Sequence, residues 1–378
     1  MVTGETRATG PVSTTPAGPA PRTPGRRTLT PPATTPRALV PRTLVPRALV
    51  PRAPAPRALV PRALVPRAVG PRALVPRTLA THVEAARDRL PGRRLETRRA
   101  LGRRLVITAD DLGIDPETNA AIVDLLAAGH ASAATLMPVA PAARDAVRQV
   151  LARAVPHPRL HVTLTGAREF APWHPLAGSA VHSLTDDAGA FHVSAARVER
   201  EGDPDHVVHE MTAQLGWMHD EGLAPEAVDS HSGTLYGMHG RSFAEEAVRF
   251  AARHGLALRV PRRLGTAAVL GPRFRRDHAR AVTLADASGV PLPEAMVSCW
   301  LPGRLVLSYA QLRASVLAQL RHLPPGTSEL VVHPAPPGGA GRLVPAEGRK
   351  RVWELRLLRD PVLHRELRRE GIEVVPSW

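Results

Sequence analysis

From residue 104 onward, short apolar runs alternate with longer segments of helical period, and this alternation restricts the fold more than any other feature of the chain. Strands are expected at 104–109, 132–137, 159–164, 226–230, 256–260, 328–333 and 372–375. Helices are expected at 116–128, 140–154, 204–221, 242–254, 309–322 and 346–370. Strands separated by helices pair in parallel, with the helices covering the sheet. Seven such repeats point to an α/β fold of the incomplete, TIM-like (β/α) barrel type rather than to an open sheet. Residues 166–203 interrupt the alternation and are expected to form a long loop over the barrel mouth.

The first repeat also carries the densest chemistry. Leu105, Val106 and Ile107 form a buried-type strand that ends in two adjacent carboxylates, Asp110 and Asp111. Gly113 breaks the strand, Asp115 suits a helix N-cap and Pro116 the first helical position. Parallel barrels place their chemistry at the carboxyl ends of the strands. Like charges side by side there need a cation or a proton to neutralise them. A bend at Leu112-Gly113 is expected to aim both carboxylates into the mouth.

Three further strand ends place a histidine in or just after an apolar run: His161, His231 and His333. A single histidine at such a position is more often structural than a ligand. Three of them with an Asp pair form an Asp/His set suited to Zn²⁺, Mn²⁺ or a related divalent ion. His157, His182, His192, His206, His219, His239 and His254 fall in expected loops or helices and read as structural or surface residues. Trp173 and Tyr236 are candidates for contact with a sugar ring, with Trp173 equally readable as an anchor for its loop. Arg259, Arg262 and Arg263 read as a solvated basic rim.

The remainder of the chain is of another kind. From Pro36 to Ala80 a five-residue unit, Pro-Arg-Ala-Leu-Val, recurs nine times with variations. Proline at every fifth position forbids a continuous helix and removes ladder donors from a strand. Residues 1–103 are therefore expected to be a disordered Pro/Arg-rich extension and linker, and 104–378 the folded domain. A basic tether or a proline-rich docking segment is the functional reading of the repeats. A repeat-expanded or upstream-translated extension without a role fits better, because the unit offers little beyond Arg to bind with. The net charge of +16 follows the same division: residues 1–80 hold thirteen Arg and one acid, Glu5. The basic balance is thus a property of the tail and poor support for nucleic-acid binding by the folded part. Cys299 is the only cysteine, so no intrachain disulfide can form, and it carries no nucleophile signature. No segment approaches the roughly 18 apolar residues of a membrane span, and a cytoplasmic location is expected.

The motifs taken together resemble one family. Ile-Thr-Ala-Asp-Asp-Leu-Gly at 107–113, His-Val-Thr-Leu-Thr at 161–165, Ser-Leu-Thr-Asp-Asp-Ala-Gly-Ala-Phe at 183–191, Asp-Ser-His-Ser-Gly-Thr-Leu-Tyr-Gly at 229–237 and Glu-Leu-Val-Val-His-Pro at 329–334 are similar in order and spacing to the YdjC-like carbohydrate deacetylases, which include chitooligosaccharide and hopanoid-associated deacetylases. The resemblance covers about 104–378; residues 1–103 have no counterpart. It implies removal of an N-acetyl group from an amino sugar, oligosaccharide or small glycoconjugate. It also implies one divalent metal, Mg²⁺ or Zn²⁺, held by Asp111, His161 and His231. Asp110 would be the general base, and His333 a general acid or oxyanion partner. Many members carry Asp-x-His-x-His where this chain has Asp229-Ser230-His231-Ser232-Gly233, so a second histidine is missing there. The alternatives are a metal-dependent hydrolase of a non-sugar amide or ester, and a catalytically silent carbohydrate-binding barrel. The expected partner is the acetylated sugar, with a homodimer left open.

Overall fold

The computed structural model describes residues 102–265 and 270–378. The expectations for residues 1–101 lie outside these described residues. All strand pairing in the sheet is parallel, as the alternation requires. The strands are β1 (Arg103–Leu112), β2 (Ala133–Leu136), β3 (Arg159–Val162), β4 (Ala227–Ser230), β5 (Ala257–Leu258), β6 (Met296–Val297), β7 (Gly326–Val332) and β8 (Glu373–Val374). Their spatial order is β5-β4-β3-β2-β1-β7-β6, with β8 beside the first half of β1. The two end strands do not pair with each other. Instead Leu258, Arg262 and Arg263 donate their N–H groups to the carbonyls of Pro291, Pro293 and Glu294. The barrel is thus incomplete, with an irregular seam between β5 and β6.

The helices follow their local signals. In α1 (Pro116–Ala127), Asp115 accepts the N–H of Thr118 at 2.9 Å and Pro116 opens the first turn, a cap worth about 1 kcal/mol. Next come α2 (Ala143–Arg153), α3 (Ala195–Glu201), α4 (Pro204–Asp220), α5 (Ala244–His254), α6 (Pro272–Ala287), α7 (Tyr309–Leu320), α8 (Pro337–Ala340), α9 (Pro345–Leu358) and α10 (Pro361–Glu370). Three features differ from the expectation. The helix expected at 346–370 is two, because Pro361 cannot continue α9 and Asp360 caps α10 by accepting the N–H of Val362. The strand β6 and the helix α6 had no visible signal: β6 is two residues long, and α6 buries only Phe274, Ala281 and Ala285. The 166–203 segment contains a 3₁₀ helix (Gly178–Leu184) and α3.

Buried apolar side chains from the strands and the inner helix faces, among them Ile107, Leu136, Leu160, Phe243 and Phe250, form one continuous core. Inside the barrel the filling is polar: Thr108, Thr135, Arg159, His161, Asp229, Arg259 and Glu329 are all buried. Arg159 donates to Glu329 at 3.1 Å and to the carbonyl of Pro376 at 2.9 Å, and its guanidinium lies 3.7 Å from the centre of the Trp378 ring. The C-terminal segment thereby covers the amino ends of the strands, opposite the mouth. No helix among the described residues is long and apolar enough to cross a membrane.

Candidate active site

The site begins with a break in β1. Ala109 pairs with Ala134, but the next register point is Leu112 with Leu136, so β1 carries an extra residue there. The bend falls on Asp111, whose φ is +73°, and not on Leu112-Gly113 alone. Asp tolerates this left-handed region better than most side chains. The bulge cancels the alternation that would send neighbouring carboxylates to opposite faces, and both Asp110 and Asp111 are buried in the barrel. Gly113 follows with φ +101°, its N–H bonded to Asn119 Oδ1 at 2.7 Å. A Cβ there would lie 3.1 Å from the Met137 carbonyl.

Asp111, His161 and His231, the ligand set that the family resemblance implies, lie together. Asp111 Oδ1 lies 3.3 Å from His161 Nε2 and 3.2 Å from His231 Nδ1. His161 and Asp229 are register partners on β3 and β4, and His161 Nδ1 hydrogen-bonds Asp229 Oδ1. A carboxylate on one imidazole nitrogen fixes the ring so that the other faces the neighbouring ligands. Burial alone would depress the His161 pKa, but Asp229 and Asp111 outweigh it and hold it up at about 10. Asp111 is held well below the usual carboxylate range: burial opposes this, and Arg351, His161 and His231 overcome it.

Among the described residues, two groups of side chains have the spacing of a metal site, Asp111-His161-His231 and Asp110-His161-Asp229. The second is already neutralised. Arg259 donates to Asp110 through two bonds, Nη1 to Oδ2 at 2.8 Å and Nη2 to Oδ1 at 2.9 Å, and its Nη2 lies 2.9 Å from Asp229 Oδ2. The first offers one carboxylate oxygen and two imidazole nitrogens facing a common point, a donor set that fits a divalent ion.

Arg259 is not part of a solvated rim. It is 3% exposed and sits at the centre of the barrel, bonding Glu329 through Nε and Nη2 as well as the two aspartates. Against its own burial, these three carboxylates hold its pKa well above the ordinary value. The rim reading holds for Arg262 and Arg263, which pair with Asp286 and Glu294 at the surface. Asp110 also accepts from Thr135 Oγ1 at 3.0 Å. Its pKa is lowered, with burial opposed by Arg259, His161 and His333.

His333 follows β7, its Nε2 3.9 Å from Asp110 Oδ2 and its N–H bonded to Glu354 Oε2 at 2.9 Å. At 37% side-chain exposure it is the most open of these groups. Desolvation in the crowded mouth nonetheless moves its pKa below the ordinary value, with Asp111 pulling the other way. Trp173 is 3% exposed, its ring 6.1 Å from those of both Phe170 and His231, so it ties the long loop to His231. The Tyr236 hydroxyl is buried without a partner among the described residues, and burial followed by the nearby Asp229 pushes its pKa up.

Sequence reasoning missed Thr135, Asp229, Arg259, Glu329 and Arg351. For Arg259 and Glu329 there was a signal: each is a charged residue embedded in a strand-like apolar run, Leu256-Ala-Leu-Arg-Val and Glu329-Leu-Val-Val. A lone charge in a buried strand needs a partner of opposite sign, and the two could have been matched on that ground. For Arg351, on α9, there was none.

Comparison with known proteins places this arrangement among relatives. Residues 104–369 match the sequence profile of the YdjC-like proteins. A carbohydrate deacetylase of Geobacillus stearothermophilus is 28% identical over 288 residues, spanning 71% of this chain and 95% of the relative. Among solved structures, an Enterococcus faecalis protein to which cellobiose-phosphate cleavage has been ascribed superposes with a TM-score of 0.57. It is 20% identical and covers 72% of this chain and 97% of its own. That likeness shows a shared fold.

Proposed function

The chain belongs to the YdjC-like family, and from that premise we propose that it is a metal-dependent hydrolase removing an N-acetyl group from an amino sugar, oligosaccharide or small glycoconjugate. The observation that carries this reading is the convergence of Asp111 Oδ1, His161 Nε2 and His231 Nδ1 beside Asp110 and His333. The relative from Geobacillus stearothermophilus, a carbohydrate deacetylase, supports the substrate class.

Asp111, His161 and His231 would hold the ion, which when bound supplies an acidified water and a Lewis acid. Asp229 keeps the His161 ring in place from its far nitrogen. The family resemblance implies Asp110 as the base and His333 as a general acid or oxyanion partner. The geometry favours a different division. Arg259 and Thr135 occupy three acceptor positions on Asp110 and lower its proton affinity. His333 is neutral at pH 7, because its pKa is moved down, and has the better-matched basicity. His333 takes the proton of the attacking water, Asp110 beside it stabilises the imidazolium, and His333 returns the proton to the departing amine. Tyr236 offers its unpartnered hydroxyl to a substrate oxygen, and Trp173 holds His231 and the mouth loop in register.

The test is acetate release from a panel of N-acetylated mono- and oligosaccharides, with and without chelator. Acetate released from at least one substrate and lost on chelation is the expected result. Chelator-resistant release, or none from any substrate, overturns the reading.

A further inference from the structure

One cation at the mouth is only half used. Arg351 lies on α9, one turn before Glu354, whose carboxylate holds the His333 N–H. The carbonyl of Arg351 accepts the N–H of Ala335, just past His333. The helix is therefore docked on the end of β7 at this point. Arg351 Nη2 sits 2.7 Å from Asp111 Oδ2, on the side of that carboxylate away from the two histidines. Arg351 Nη1 is buried and has no hydrogen-bond partner among the described residues. Buried guanidinium donors are rarely left unpaired. This one belongs to a side chain whose other nitrogen already touches the ligand set.

We propose that Arg351 Nη1 is the donor that receives the acyl oxygen of the substrate, while Nη2 restricts Asp111 to Oδ1 as its ligand atom. The inference rests on the reading of the site as an N-deacetylase. In the addition step a bond forms between the water oxygen and the acyl carbon, and the water proton goes to His333. The carbonyl π pair moves onto the acyl oxygen, whose negative charge Arg351 Nη1–H meets. In the second step the pair on the acyl oxygen re-forms the C=O bond, the C–N bond breaks with its electron pair leaving on nitrogen, the proton from His333 completes the amine, and the acetic acid formed loses its hydroxyl proton to solvent. Acetate and the free amino sugar are the products. A fixed N–H at the site of developing charge acts mainly in the transition state, so it should govern kcat more than KM.

The same geometry gives Arg351 a second measurable consequence. Its positive charge and a divalent ion compete for the Asp111 carboxylate. Removing the guanidinium should leave metal affinity unchanged or raise it, the opposite of what removing a ligand does.

The experiment compares wild type, Arg351→Met and Arg351→Lys. Mg²⁺ and Zn²⁺ are titrated into substrate-free protein by calorimetry, thermal unfolding is recorded, and kcat and KM are measured on the best neutral N-acetylated sugar. Arg351→Met should bind metal at least as tightly as wild type and lose about 10²-fold or more in kcat, with KM changed only a few-fold. Arg351→Lys, with a single ammonium that cannot reach both positions, should fall between them. Weaker metal binding with normal kcat in the metal-loaded fraction means Arg351 only clamps Asp111, and overturns the inference. A raised KM with unchanged kcat, or full activity in Arg351→Met, overturns it as well. A wild type that releases no acetate from any substrate removes the deacetylase reading itself, and the donor role with it.

Discussion

Arg259 grips Asp110 through two parallel hydrogen bonds of 2.8 and 2.9 Å, inside a barrel where both side chains are almost fully buried. The same guanidinium reaches Glu329 and Asp229, so one cation just past β5 ties together carboxylates from β1, β4 and β7. Such a cluster is expensive to break from one side, because the carboxylates left behind stay buried.

Arg259→Met is therefore expected to destabilise the protein by about 3–5 kcal/mol. Arg259→Lys, lacking the planar fork, should recover only part of this. Urea unfolding followed by circular dichroism measures both. A shift below about 1 kcal/mol for Arg259→Met would mean that the network is not what holds the barrel interior together.

The adjacent aspartates should separate under isosteric substitution. Asp111→Asn is expected to lose metal, since a neutral amide oxygen is a poorer ligand for a hard cation than a carboxylate. Asp110→Asn should keep the metal and lose about 10²–10⁴-fold in rate, because the proton transfer through His333 loses the carboxylate that stabilises its imidazolium. Metal content after dialysis and turnover, measured side by side, decide the matter. Equal metal loss in the two variants would show that the division between them is wrong.

A deacetylase that uses His333 as the first proton acceptor has a definite pH profile. Only the neutral imidazole accepts a proton, and the His333 pKa is moved below its ordinary 6.5. The rate should therefore be full at neutral pH and fall with unit slope as pH drops through that lowered value. Asp110→Asn removes a carboxylate that raises the His333 pKa, so its limb should move further toward acid. His333→Gln should retain metal and lose the limb altogether. An unchanged acid limb in His333→Gln assigns it to another group.

Metal binding should release a proton. In the metal-free site His161 has a pKa of about 10 and carries protons on both nitrogens at neutral pH. A divalent ion must displace the one on Nε2, while Nδ1 keeps its bond to Asp229. Apparent affinity should rise about tenfold per pH unit between pH 6 and 8, with close to one proton released per ion. Calorimetry in buffers of different ionisation enthalpy reads this directly, and an affinity flat across that range would contradict it.

The sequence by itself determined the barrel class and every strand but β6, and it singled out Asp110, Asp111, His161, His231 and His333 as candidates, because parallel βα units announce themselves by period and put polar residues at strand ends. It also determined that α1 starts at Pro116, since a cap is a local signal. Tertiary structure alone decided which partners those residues have. The apolar run around Arg259 says that it needs a partner, but which carboxylates answer it is fixed only when β5 lies beside β4, and Asp110, Asp229 and Glu329 then surround it. Arg351 is more than 200 residues from Asp111 in the chain and touches it only because α9 docks on the end of β7. The left-handed turn at Asp111 leaves no trace in the residue types, yet it aims two neighbouring carboxylates into one mouth. Local patterning fixes most of the segments that become strands and helices; the partners of a buried charge lie on other segments, and only the curled arrangement of the strands brings them within reach.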